Sequence, residues 1–342
     1  MINNELKELS ELSSKIGDNL DLIQGAGGNT SEKIGDSLWV KASGCWLSDA
    51  LKENIFIPVN YKNILNNIDN QKPDPVSSEV IYSEITKNLR PSIETTLHAI
   101  MPYKYVVHTH SINCIANTIS KDNLSSLKEK MSGFNWSLVA YTKPGLSLAR
   151  EIKEVLKPRV DTILMSNHGV VFGSDCIKDL EKKIFDLEKR LNKPLRNINK
   201  SPKSKELESL VNETDYSLPT KNIIHSLALD ESLIKAISNR SLYPDHVVFL
   251  GPGPMKIYTK SDAINILGNN KNNPEVIIIE NFGVIVHKSR NPNIDLMLYC
   301  LASTLLRIDP KEEILFLTKK DEADLLGWDA EDYRIAIQKN RI

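Results

Sequence analysis

The 342-residue sequence has no excess of basic side chains: 43 Lys and Arg stand against 44 Asp and Glu, a formal net charge of −1. Binding to a phosphate backbone draws much of its affinity from such an excess. No basic run is interleaved with aromatics either, so nucleic acid is not an expected partner. Cysteine is scarce, and Cys45, Cys114, Cys176 and Cys300 show no C-x-x-C spacing. They read as free thiols of a reducing compartment, not as a disulfide framework or zinc knuckle. The stretch from Met1 to Lys7 holds no apolar signal-peptide core, and no apolar run approaches the roughly 20 residues of a membrane span. The expected location is the cytoplasm, without membrane contact.

What the sequence does have is the make-up of a globular chain, 41% apolar and 25% charged. Its length predicts one large domain or two moderate ones. Leu6, Leu9, Leu12 and Ile16 recur at helical spacing, and Gly25-Ala26-Gly27-Gly28-Asn29-Thr30 then breaks the helix. Strands are expected at 38–40, 55–59, 105–109 and 161–165, and helices at 95–101 and 177–191. Residues 192–222 are polar and carry three prolines, which predicts a linker or surface insertion. Beyond them, strands are expected at 246–250, 276–280 and 283–287, and a helix at 293–308. Strands and helices alternate throughout, so the fold class is α/β.

The segment Ser166-Asn167-His168-Gly169-Val170-Val171-Phe172-Gly173 has an echo in Glu280-Asn281-Phe282-Gly283-Val284-Ile285-Val286-His287. Two hairpin-like turns built from favoured turn residues explain it. A degenerate second copy that lost its histidine is the alternative.

The chemistry concentrates around Val106-Val107-His108-Thr109-His110. Alternate side chains of a strand share a face, so His108 and His110 lie about 6–7 Å apart at Cα and can converge on one ion. A pair of satisfied structural histidines is the plain alternative. His168 sits where a β-branched strand turns at Gly169, and strand ends of this kind often carry ligands. Glu94 precedes His98 by four residues on the expected helix 95–101, so both face one way.

In the order Ser92-x-Glu94-x3-His98, His108-x-His110 and Asn167-His168-Gly169, the sequence resembles the class II aldolase/adducin family over roughly residues 5–190. Gly27-Gly28-Asn29-Thr30-Ser31 and Lys41-Ala42-Ser43-Gly44 fall where that family keeps phosphate-gripping turns. Arg90-Pro91-Ser92-Ile93-Glu94-Thr95-Thr96-Leu97-His98-Ala99 resembles most the aldolase half of bifunctional proteins that join a rhamnulose-phosphate-type aldolase to a short-chain dehydrogenase. Tyr243-Pro244-Asp245-His246-Val247-Val248 resembles that half as well. The fuculose-phosphate type is also similar. A nucleotide fingerprint is missing, because Thr30 stands where a Rossmann loop wants its last glycine. Ser77-Ser78-Glu79 matches the family's Ser-Ser-Glu more literally, but Ser83 follows where a histidine belongs.

The resemblance implies a three-layer α/β/α sandwich with a mainly antiparallel central sheet in residues 1–192. After a polar linker or insertion at 193–222, it leaves 223–342 as a C-terminal α/β extension, packed on that domain or part of it. It implies one divalent ion per chain, zinc first and Mn2+ or Co2+ as alternatives, held by His108, His110 and His168. Glu94 then shuttles the proton, and Tyr141 protonates the leaving oxygen. Asn29, Thr30, Ser43, Gly44 and Ser92 would hold the phosphate, with Ile93 replacing a serine. The implied activity is aldol cleavage or formation on a small ketose phosphate or related sugar through a metal-stabilised enediolate. An epimerase, dehydratase or decarboxylase on a related sugar or hydroxy-acid phosphate uses the same ion, and a non-catalytic adducin-like scaffold is the rival of another class. A homo-oligomer, tetrameric by resemblance, is expected.

Overall fold

Residues 105–109 set the frame of the molecule, because every side chain along this strand is buried and successive ones must find two different cores. The computed structural model describes residues 4–121, 124–268 and 274–327, together with 329, 333 and 336. Its first sheet contains β1 (Asn29–Ile34), β2 (Ser37–Lys41), β3 (Phe56–Asn60), β4 (Tyr105–Thr109), β5 (Trp136–Val139), β6 (Thr162–Met165) and β7 (Gly169–Ser174). The spatial order is β3-β2-β1-β4-β7-β6-β5. All neighbours run antiparallel except β5 and β6.

Tyr105 and Val107 of β4 point into one core, where Leu9, Leu12 and Ile16 of helix Lys7–Gly17 meet Leu180, Ile184 and Leu187 of helix Ile177–Leu191. Val106 points into the other, with Ile64, Leu97, Leu148 and Ile152 from helices Tyr61–Asp69, Thr95–Ile100 and Leu146–Val155. The α/β/α layering expected from the resemblance is therefore present, with its C-terminal extension. A buried parallel sheet would also leave both faces apolar; the antiparallel arrangement follows from the short turns at 35–36 and 166–168.

A second sheet follows, with β8 (Tyr216–Ser217), β9 (Ile257–Tyr258), β10 (Val276–Ile279) and β11 (Gly283–His287) in the order β8-β11-β10-β9. It repeats the arrangement β4-β7-β6-β5. In both, the last pair is parallel and the other two pairs antiparallel. Met165 pairs with Gly169 as Ile279 pairs with Gly283. The turns agree in backbone too, with φ of 57° and 154° at Asn167 and Gly169 against 57° and 150° at Asn281 and Gly283. The sequence echo is thus a repeat of topology and not only of turn residues, and Phe282 stands where the first copy has His168.

One expectation is corrected. Residues 244–250 form a helix, not a strand: Pro244 occupies the first turn, Asp245 complements its N-terminal dipole, and Gly251 ends it at φ 85°. The apolar run His246-Val247-Val248-Phe249-Leu250 is one buried side of that helix plus its crowded end. The stretch 192–222 contains helix Ser204–Val211 and β8, anchored by the fully buried Leu207 and Tyr216.

The two sheet units share a core. Ile112, Ile115, Ala116 and Ile119 of the segment after β4 pack with Ile224, Leu227, Leu298 and Leu301 of the C-terminal part. Polar groups seal the same boundary: Arg307 donates to Asp21 at 2.9 Å and to Asn113 at 3.1 Å, and Tyr299 donates to Asp21 at 2.8 Å.

Candidate metal centre

His108 leaves β4 on the face that carries Val106, and His110 follows at the corner where Ser111 caps helix Ile112–Thr118 by accepting from Cys114 N–H at 3.0 Å. His168 arrives from the neighbouring strand end, in the β6–β7 turn. The three rings meet with centroids 4.8–5.2 Å apart. Close backbone approach makes this packing feasible. A Cβ on Gly169 would stand 2.1 Å from the Thr109 carbonyl, and one on Gly27 would stand 2.7 Å from His110 Nδ1. The glycine-rich turn at 25–28 therefore makes room for an imidazole.

Glu94 completes the cluster from the N-cap position of helix Thr95–Ile100. Its Oε2 lies 3.4 Å from His108 Nε2 and its Oε1 lies 3.4 Å from His168 Nε2. One ligand-type atom from each of Glu94, His108, His110 and His168 can be chosen so that all lie within 4.8 Å of one another, and all four residues are buried.

A relay of hydrogen bonds holds Glu94. Ser31 Oγ–H donates to His98 Nδ1 at 2.7 Å, His98 Nε2–H donates to Asn29 Oδ1 at 2.5 Å, and Asn29 Nδ2–H donates to Glu94 Oε2 at 3.1 Å. The carbonyl of Asn29 can only accept, which fixes the direction of the whole chain. Burial pushes His98 down to about 3, so it stays neutral and keeps this role.

The donor set fits a divalent cation. The His108 Nδ1–H donates to the Val170 carbonyl at 3.1 Å, which leaves a lone pair on Nε2. That lone pair faces a carboxylate oxygen, yet neither His108 Nε2 nor Glu94 Oε1 has a hydrogen-bond partner although both are buried. Opposed lone pairs in a dry site are costly unless a cation lies between them. Burial lowers His108 and takes His168 down to about 3, so the imidazoles are neutral, as ligands must be. Burial pushes the Glu94 carboxyl up, and the Asn29 amide that donates to its Oε2 pulls it down.

The cluster opens on a cleft between the two glycine-bearing turns and the C-terminal part. Asn29, Ser43, Gly44 and Ser92 line it, as expected, together with Ile93 and Lys41. Thr30 does not: one strand position on from Asn29, its side chain turns to the opposite face and its Oγ1 lies 2.7 Å from Ser13 Oγ. Asn29 is less available than expected, since its amide is spent on Ser92, Glu94 and His98. Tyr141 is not in the cavity wall; it packs beside Val247, Leu317 and Leu325, and its hydroxyl is buried without a partner. Glu79 accepts from Asn63 and Asn67, away from the cluster.

Sequence reading gave no site role to Asp245 and Pro244, which enter the wall from the C-terminal part; Lys41, read there as a source of charge or a solvated lysine, is instead buried, its Nζ donating to the Ala26 and Cys45 carbonyls at 2.8 and 2.7 Å. A lone Asp far along the chain gives no local signal. Lys41 was visible in its motif, and only the fold shows that it ties the two glycine-bearing turns together.

Comparison with known proteins places the chain in a family. The model of the class II aldolase and adducin N-terminal domain matches residues 7–192, and the chain belongs to the class II aldolase/adducin family. An L-fuculose phosphate aldolase of Methanococcus maripaludis is 28% identical over 181 residues, covering 52% of this chain and 89% of that protein. The uncharacterized oxidoreductase YuxG of Bacillus subtilis is 33% identical over 196 residues, 53% of this chain but only 28% of the relative's length. Among solved structures, the N-terminal class II aldolase domain of a conserved Thermoplasma acidophilum protein superposes with a TM-score of 0.48 at 25% identity, covering 56% of this chain and 93% of that one.

Proposed function

We propose that the protein is a divalent-metal-dependent lyase of the aldolase type, acting on a small ketose phosphate or related sugar. His108, His110 and His168 hold the ion, zinc by the chemistry of an imidazole-rich site, and residues 1–192 form the catalytic unit. The observation that carries this reading is the buried, unpartnered lone pair of His108 Nε2 set 3.4 Å from the Glu94 carboxylate. A scaffold gains nothing from such an arrangement, which costs stability until a cation fills it.

When bound, the ion supplies Lewis-acid stabilisation of negative charge developing on the substrate. The protein's own groups do the rest. Glu94 Oε2 is held by Asn29, which leaves Oε1 as the atom that takes a proton from, or returns it to, the reacting carbon. Ser43, Gly44 and Ser92 offer hydroxyl and backbone donors to a phosphate, and Lys41 keeps their turn against the turn at 25–28. Exposed Ile81, Tyr82 and Ile85 offer an apolar surface for assembly into a homo-oligomer.

No helix among the described residues is long and apolar enough to cross a membrane. The deciding experiment is a panel of ketose phosphates and aldonate phosphates read by product mass spectrometry. Paired aldehyde and ketone fragments support the lyase. An isomeric product means epimerisation, and loss of water or carbon dioxide means dehydration or decarboxylation; any of these overturns it.

A further inference from the structure

Asp245 comes from helix Pro244–Leu250, well beyond the matched residues 7–192, yet it lies in the wall of the metal centre. Its side chain is 4% exposed, and its Oδ2 is 3.2 Å from His110 Nδ1. At that distance the carboxylate can take a ring N–H from Nδ1, which would leave Nε2 of His110 as the lone-pair nitrogen, the same state that the Val170 carbonyl imposes on His108. The two partners differ in one respect: the acceptor on His110 is charged, and a charge-assisted bond fixes a ring more firmly than a neutral one.

The segment that carries Asp245 is itself fastened to the site. Asn167, the neighbour of His168, donates through Nδ2 to the carbonyls of Leu242 and Leu315, each at 2.8 Å. Leu242 N–H in turn donates to His246 Nδ1 at 3.3 Å, and Tyr243 O–H donates to the Met297 carbonyl at 3.4 Å. His110 is thus tied to the C-terminal part through its own side chain, and His168 through the side-chain amide of the adjoining Asn167.

We propose that Asp245 is a positioning residue of the metal centre, fixing the tautomer and orientation of His110, so that the C-terminal part completes the metal site. This rests on the metal-binding reading above. The test uses the full chain. Zinc affinity is measured by competition with a chromogenic chelator for the natural protein and for Asp245→Ala, Asp245→Asn and Asp245→Glu, and the visible absorption of the cobalt-loaded forms is recorded. Carboxylate partners of metal-bound imidazoles typically contribute 10–100-fold in affinity. The expected result is a loss of about that size in Asp245→Ala, a smaller one in Asp245→Asn, partial recovery in Asp245→Glu, and an altered cobalt spectrum in the Ala variant. Apo-protein unfolding measured alongside should show every variant folded at the assay temperature. Natural affinity and an unchanged cobalt spectrum in Asp245→Ala overturn the proposal, as does a loss that merely follows unfolding of the apo protein. Failure of the natural protein to bind zinc, cobalt or manganese is a different outcome, and it removes the metal reading itself.

Discussion

Gly27→Ala tests how tightly the site is built. Gly27 has an ordinary backbone conformation, so an added methyl brings no dihedral strain, and its whole effect is contact. The new Cβ would stand 2.7 Å from His110 Nδ1, 3.1 Å from His110 Cε1 and 3.0 Å from the Gln24 carbonyl. Ordinary carbon contacts begin near 3.5 Å, so the imidazole or the turn must retreat by roughly 0.8 Å. Overpacking of this kind costs about 1–3 kcal/mol, which a chain with two large sheet layers survives. A displacement near 1 Å of a group that fixes reacting geometry costs about 10²-fold in rate. The predicted variant is folded, with zinc affinity down by roughly tenfold and turnover down by about 10²-fold. Gly268→Ala is the control, since its added methyl meets nothing within 4 Å. Chelator competition, turnover and urea unfolding on one preparation make the assay. Unchanged affinity and turnover in Gly27→Ala would refute the placement of His110 against this turn.

Glu94→Gln keeps the size of the side chain and an acceptor for Asn29, and it removes the basic oxygen; turnover should fall by about 10²–10⁴-fold while the three imidazoles retain the ion. Metal loss in that variant would make Glu94 a ligand, and undiminished turnover would remove it from the reaction. Tyr141→Phe should leave metal content and turnover within a factor of about two, since the hydroxyl sits outside the cavity wall; a large loss of turnover would restore its role as the proton donor. His246 is held neutral, its Nδ1 accepting from Leu242 and burial taking it down to about 4 from 6.5. The unfolded chain therefore binds the extra proton between those values, and stability that is full above pH 6.5 is lost as pH falls toward 4. Urea unfolding of the apo protein at pH 7 and pH 5 should show about 2 kcal/mol less of that loss in His246→Gln, and an equal loss in both proteins would contradict this.

The histidines at 108, 110 and 168 were readable because strand periodicity and a glycine turn are local properties, and the family pattern added the order. Thr30 was misplaced by reading the motif as a block; applying the two-residue period from Asn29 would have sent it to the Ser13 side. The run 246–250 misled because apolar and β-branched residues fit a buried helix as well as a strand, whereas Pro244 and Asp245 already carried a helix-start signal. The polar composition of 192–222 hid Leu207 and Tyr216, two anchors among many charged neighbours. His98 was within reach of the site by spacing, but only the fold shows that it serves Glu94 through Asn29. The site role of Asp245 could not be read, because it lies in a contact across 135 positions of chain, between residues 110 and 245.

The central claim is that a cation is held by His108, His110 and His168, beside Glu94. Elemental analysis of protein purified without chelator tests it most directly, with His168→Ala and His287→Ala prepared in parallel. The prediction is about one divalent ion per chain in the natural protein and in His287→Ala, whose histidine lies outside the cluster and contacts Ser289. His168→Ala, which removes one of the facing imidazoles, should lose most of it. A natural protein that carries no metal and takes up none of zinc, manganese or cobalt when they are supplied would contradict the claim.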